Sequence, residues 1–199
     1  MLTTLKVRTI VLVALVLVVG LAGGCGNSQP TRRFAASKAT CPNDVGEGPT
    51  GLLKGMRLAA PPSLDAMKAA ADTIVRVTAS ETVCTEMEHE LPITVRTVNI
   101  LEVLEGDGIN VGDSIEVRQS GSPRMPFDDS PPFITGGSEY VLYLETSIVD
   151  GVVLRIPVAG SGVFAVVDGA VAHLDPRTTF TDAEKKLPLN EWRAKVTAG

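Results

Sequence analysis

Aromatic side chains are scarce in this chain of 199 residues: five Phe, two Tyr and one Trp make up 4% of it. That is too few for a platform on which single-stranded bases would stack. Positive charge is also in deficit, with 18 Lys and Arg against 23 Asp and Glu, for a formal net charge of −5. A protein of that sign gains nothing from counterion release on DNA or RNA, so nucleic acid is not an expected partner. There are two histidines, His89 and His173, and no HExxH, P-loop or dinucleotide fingerprint. Cysteine is limited to Cys25, Cys41 and Cys84, without a CxxC pair, which argues against structural zinc. His89 stands among Glu81, Glu86, Glu88 and Glu90, and a single His in such company is more often solvated than a ligand. No metal and no cofactor are expected.

What is present begins with an address. Lys6 and Arg8 form a positive start, residues 10–21 are an uninterrupted apolar run, and small residues follow. That run is short for a bilayer span and reads as a secretory signal. It ends Leu21-Ala22-Gly23-Gly24-Cys25. This ending resembles the lipobox of bacterial lipoproteins, with Ala22 where the family prefers Leu. The resemblance implies cleavage before Cys25, acylation of its thiol, and Cys25 as the lipid attachment residue of the mature chain. Each buried CH₂ adds about 0.8 kcal/mol, so two or three acyl chains hold where one does not. Membrane contact through a lipid anchor, on the extracytoplasmic face, is therefore expected. Gly26 is not the Asp that retains many Gram-negative lipoproteins at the inner membrane. A Gram-positive plasma membrane is the favoured location and a Gram-negative outer membrane the alternative.

Three segments follow: a signal over 1–24, an anchored flexible tether over 25–60, and a β-barrel domain with a helical tail over 61–199. With Cys25 acylated in an oxidising compartment, Cys41 and Cys84 remain, and a disulfide between them is expected. The chain-entropy model gives such a loop about 3–4 kcal/mol. Two buried free thiols are the alternative.

The domain is organised around residues 93–119. A long strand over 93–104 leads through a Gly/Asp-rich turn at 105–113 into a return strand over 114–119. The turn lacks the acidic order of a calcium loop. Ile93 and Val95 are in phase, Val98 and Ile100 in the opposite phase, and Leu101 and Val103 return to the first. Bulges near Thr97 and Leu101 would reconcile these phases, and they bend a strand toward a small barrel. Ser63 is placed to cap a helix over 64–71. A β-branched run over 73–79 supplies the first strand, and 83–90 reads as a charged loop or hairpin end. Residues 140–144 are apolar without alternation, as in a strand buried on both faces. Pro157 closes an alternating run, and Asp168-Gly169 marks a two-residue hairpin turn. Residues 182–198 read as a helical tail interrupted by Pro188, with Trp192 as a packing anchor. The expected class is mainly β: a small OB-like Greek-key barrel with a short N-terminal helix and a C-terminal helix.

Residues 121–137 form the most elaborate loop, with four prolines. Function concentrates on loops held by a rigid scaffold. Arg124, Phe127, Asp128, Asp129 and Phe133 are the candidate binding residues, the competing expectation being that the phenylalanines plug the barrel. Gly160-Ser161-Gly162 lacks the GxSxG frame, and no catalytic residues are assigned.

The order of a bent strand ending LEGDGINVGDSIEV, a Pro-rich loop, GGSEYVLYL and a VFAVVDGAV hairpin resembles the OB-fold of tissue inhibitors of metalloproteinases and netrin modules. The family's CxC opening is absent, so protease inhibition is not carried over. Together these readings predict a non-catalytic, lipid-anchored module with an envelope protein partner. The alternatives are an envelope enzyme around His173, Asp175 or His89, and a carrier of small apolar ligands.

Overall fold

Val, Ile and Thr dominate residues 73–104, and they build two long antiparallel strands, β1 (Thr73–Glu88) and β2 (Leu91–Glu105). The computed structural model describes residues 50–54, 58–128, 130–149 and 151–198. β3 (Ser114–Ser120) pairs with β2, while β4 (Glu139–Val149) pairs with the other edge of β1. β5 (Val152–Pro157) returns along the second half of β4. The sheet then curls so that β3 and β5 pack side by side, although no hydrogen-bonded ladder joins them among the described residues. The order around the curl is 1-2-3-5-4, a five-stranded Greek-key barrel left open at one seam.

Past Pro157 the chain turns through Val158–Gly160, with Ala159 in the left-handed region at φ 48°, and rejoins the first half of β4 as β6 (Val163–Val167). Gly162 makes this junction feasible: a Cβ there would lie 2.2 Å from the Tyr143 carbonyl oxygen. β7 (Ala170–His173) completes the Asp168-Gly169 hairpin, with φ of 50° and 74° at the two turn residues. β8 (Lys186–Pro188) then adds to β7.

β4 serves two cores. Tyr140, Leu142 and Leu144 face the barrel interior with Val75, Val77, Val98, Ile100, Val117 and Ile134. Val141 and Tyr143 face the opposite side. There α1 (Leu64–Ala70) and α3 (Leu189–Thr197) cover the sheet with Leu64, Met67, Trp192 and Val196. Ser63 caps α1 as the sequence predicts, its Oγ accepting from the Ala66 N–H at 3.2 Å. Outside the barrel, Arg193 of α3 grips Glu102 of β2 with two N–H···O bonds of 2.8 and 2.7 Å. Glu102 also meets Arg76 at 3.1 Å, and Arg76 meets Glu139 at 2.8 Å.

Three expectations need correction. The charged stretch 83–90 is strand up to Glu88, and only His89 and Glu90 turn, at φ 48° and 68°. The irregularity expected in β2 near Thr97 lies on the partner instead. Between the pairs Ala79↔Val98 and Val83↔Arg96, β1 carries Ser80, Glu81 and Thr82 against Thr97 alone. Arg96 Nη1 gathers the Ser80 and Glu81 carbonyls at 2.9 and 3.4 Å, which satisfies the bulged backbone. The Leu101 bulge does lie in β2, between the pairs Arg76↔Glu102 and Val77↔Ile100. Finally, the C-terminal stretch is not one broken helix. α2 (Asp182–Lys185) is followed by β8 before α3, because Pro188 ends a strand that pairs with the open edge of β7. Among the described residues no helix is long and apolar enough to cross a membrane.

Candidate functional site

The loop between β3 and β4 is held at both ends by the barrel. Ile134 enters the interior, and its N–H donates to Gln119 Oε1 at 2.9 Å. The Thr135 N–H donates to Tyr140 Oη at 2.9 Å, and the Gly121 N–H donates to the Pro92 carbonyl at 2.7 Å. Between these ties the loop bulges out over the seam of β3 and β5. A cleft of about 270 Å³ opens there, with Phe127, Phe133 and Pro131 on one side and Ile156, Pro157 and the strained Ala159 on the other.

Of the predicted binding residues, Phe127 and Phe133 are half-buried walls of this cleft. They do not plug the barrel; Ile134 takes that place because the backbone bonds at 134 and 135 point its side chain inward. Arg124 and Asp128 are exposed and contribute main chain to a different contact. Their segment receives residues 51–53 in extended form. The Gly51 N–H donates to the Arg124 carbonyl at 3.1 Å, Leu53 N–H to Pro126 at 3.0 Å, and Asp128 N–H to Leu53 at 3.1 Å. Leu53 and Phe127 form a parallel bridge, and Leu58 reaches the rim of the cleft. Asp129, Cys25 and Cys41 lie outside the described residues.

The sequence reading missed Arg118, Gln119, Glu145 and Ile156, which also line the cleft. They come from three separate strands, and only barrel closure brings them together. Arg118 is engaged by Glu86 at 2.8 Å and Glu88 at 3.5 Å. Burial first, and the neighbouring Glu86 second, push the Glu116 carboxyl above its ordinary value, against the pull of Arg118. Glu145 is half-buried on β4 opposite Ile156.

The second histidine belongs to a polar knot with Ser161 and Asp175. Ser161, fully buried, donates its hydroxyl to Asp175 Oδ2 at 2.7 Å. His173 Nε2 lies 2.9 Å from the Ser161 carbonyl oxygen, not from its hydroxyl. The imidazole is packed between Phe164 and Phe180, with ring centroids 4.5 and 4.7 Å away. A nucleophile must bond to its base and reach substrate. Ser161 bonds to Asp175 but is fully buried, away from solvent. His89 sits on the exposed tip of the β1–β2 hairpin. No cluster of three or more His, Cys, Asp or Glu is arranged for a metal among the described residues. Cys84 is buried in β1 opposite Val95 and is not a free thiol. The chain matches no known protein-family profile and no curated protein.

Proposed function

We propose that this protein is an envelope lipoprotein, anchored through acylated Cys25, whose barrel is a non-catalytic binding module. The observation that carries the binding claim is the cleft at the β3/β5 seam. It is concave, apolar-walled by Phe127 and Phe133, and built on a loop fixed to the barrel at both ends. Concave sites of mostly apolar lining with a few polar groups are where ligands and partner segments bind. The barrel interior, by contrast, is filled by its own Val, Ile and Leu side chains, so the opening at the seam is the place for a guest. A disulfide between Cys41 and Cys84 belongs to this reading, supported by the oxidising compartment that an exported chain enters. The strand order 1-2-3-5-4 supports the likeness to the metalloproteinase-inhibitor and netrin modules as a likeness of fold.

Photo-cross-linking from Phe127 and Phe133 in the native envelope tests the reading. A discrete protein partner is expected. No partner captured at these positions or at any other barrel loop removes the binding claim. Mass spectrometry of the mature N-terminus tests the anchor separately, and an unmodified Cys25 thiol would refute it.

A further inference from the structure

Glu145 is the one acidic side chain among the residues lining the cleft, and no cation pairs with it among the described residues. The cation on the opposite strand, Arg118, is already engaged by Glu86 and Glu88. A carboxylate beside apolar walls favours a ligand that brings the opposite charge. The geometry of the walls constrains the rest of the ligand. At about 270 Å³, the cleft is slightly below the usual range for whole small-molecule sites, about 300–1,000 Å³. It suits one or two side chains of a longer molecule.

The backbone around the cleft favours an extended chain. The same loop already accepts residues 51–53 through three main-chain hydrogen bonds of 3.0 to 3.1 Å. β3 also faces β5 across the seam without a ladder, so among the described residues the β5-facing edge of β3 carries peptide groups that no strand pairs. Edges of this kind take peptides by main-chain bonding, with side-chain pockets giving the selectivity.

We propose that the cleft binds an extended peptide segment of a partner protein. An apolar side chain lodges against Phe127 and Phe133, and a lysine or arginine neighbours Glu145. This rests on the binding-module reading and names its partner chemistry. No covalent step is involved. The charge sets which peptides are accepted, and the phenylalanines supply most of the affinity.

The test titrates the mature protein with a fluorescein-labelled hexapeptide, Ala-Leu-Thr-Lys-Thr-Ala, whose Leu and Lys share one face of an extended chain, and with its norleucine counterpart in place of lysine. The lysine peptide is expected to bind at least fivefold more tightly. In Glu145→Gln the two peptides should bind alike, and in Phe133→Ala both should weaken about tenfold. Glu145 lies outside both cores, so Glu145→Gln keeps the fold and the charge test stands even if Phe133→Ala does not. Equal affinities in the wild type, a lysine preference that survives Glu145→Gln, or no binding up to millimolar peptide overturns the proposal. A partner cross-linked at Phe127 or Phe133 without such a preference overturns only the ligand class. Absence of any cross-linked partner overturns the binding module itself.

Discussion

The clamp between Arg193 and Glu102 ties the last helix to the barrel wall, and its worth can be worked out before it is measured. Arg193 presents two donors to the two carboxylate oxygens at 2.8 and 2.7 Å, and Arg76 adds a third contact at 3.1 Å. Such forked, charge-assisted pairs are the stronger kind. The side chains are nevertheless 37% and 28% exposed, so solvent screens them, and exposed pairs contribute only about 0.2–1 kcal/mol. Fork geometry and the network through Arg76 put the coupling at the upper end, about 1 kcal/mol. The assay is a double-mutant cycle with Arg193→Ala and Glu102→Gln, followed by urea unfolding at pH 7 and 0.1 M salt. Each single variant should lower the unfolding free energy by about 1 kcal/mol. Arg193's hydrogen bonds, opposed by burial and helped by Arg76, hold the Glu102 carboxyl below its ordinary 4.5. Because that value is depressed in the folded state, the stabilisation is complete above the unfolded-state value. It is lost as pH falls through the folded one. The coupling should therefore shrink as pH falls below the ordinary glutamate value of 4.5, and also in 1 M salt. A coupling under about 0.3 kcal/mol at pH 7, or one indifferent to acid, would refute this account of what fastens α3.

Three further outcomes follow from local geometry. Replacing His89-Glu90 with Asn-Gly relieves two non-glycine residues at φ 48° and 68° and should raise stability by about 1 kcal/mol in urea unfolding. A neutral or negative result would mean the turn is relaxed as it stands. Gly162→Ala places a methyl 2.2 Å from the Tyr143 carbonyl and 2.9 Å from the Val158 nitrogen. It should cost about 3 kcal/mol or more, seen as a large loss of Tm, and a loss under 1 °C would contradict the close approach. Ser161→Ala removes the buried hydroxyl that donates to Asp175 and should lower unfolding free energy by about 1.5–3 kcal/mol, which differential scanning calorimetry would register.

Much of the scaffold was readable because its signals are local. The β2–turn–β3 unit carries its turn residues in sequence, Asp168-Gly169 fixes a hairpin, and the unbroken apolar run from Tyr140 to Leu144 reports two covered faces. The misreadings have physical causes. β1 runs on to Glu88 because an antiparallel hairpin tolerates exposed charges such as Glu86 and Glu88 on its outer side, and the turn that ends it uses no glycine. The two-residue excess within Ser80–Thr82 is compensated by Arg96 from another strand, a tertiary bond that no sequence window contains. Pro188 was read as a helix breaker, while β7's vacant edge turns the preceding residues into strand. At the cleft, the loop's own Phe127 and Phe133 were legible. Glu145 and Ile156 were not, since neither stands out until two ends of the sheet meet.

β4 is a party wall between two rooms, with alternate side chains furnishing each. Neither half of the molecule can melt while the other stays whole, because dismantling either strips one surface of the same strand. A fragment ending at Pro157 would keep all five barrel strands yet strip Val141 and Tyr143 of Phe164, Trp192 and Val196, leaving α1 as their remaining cover. Such a piece should clump rather than fold. Any effort to trim this molecule to its smallest working form must therefore keep everything through Val196.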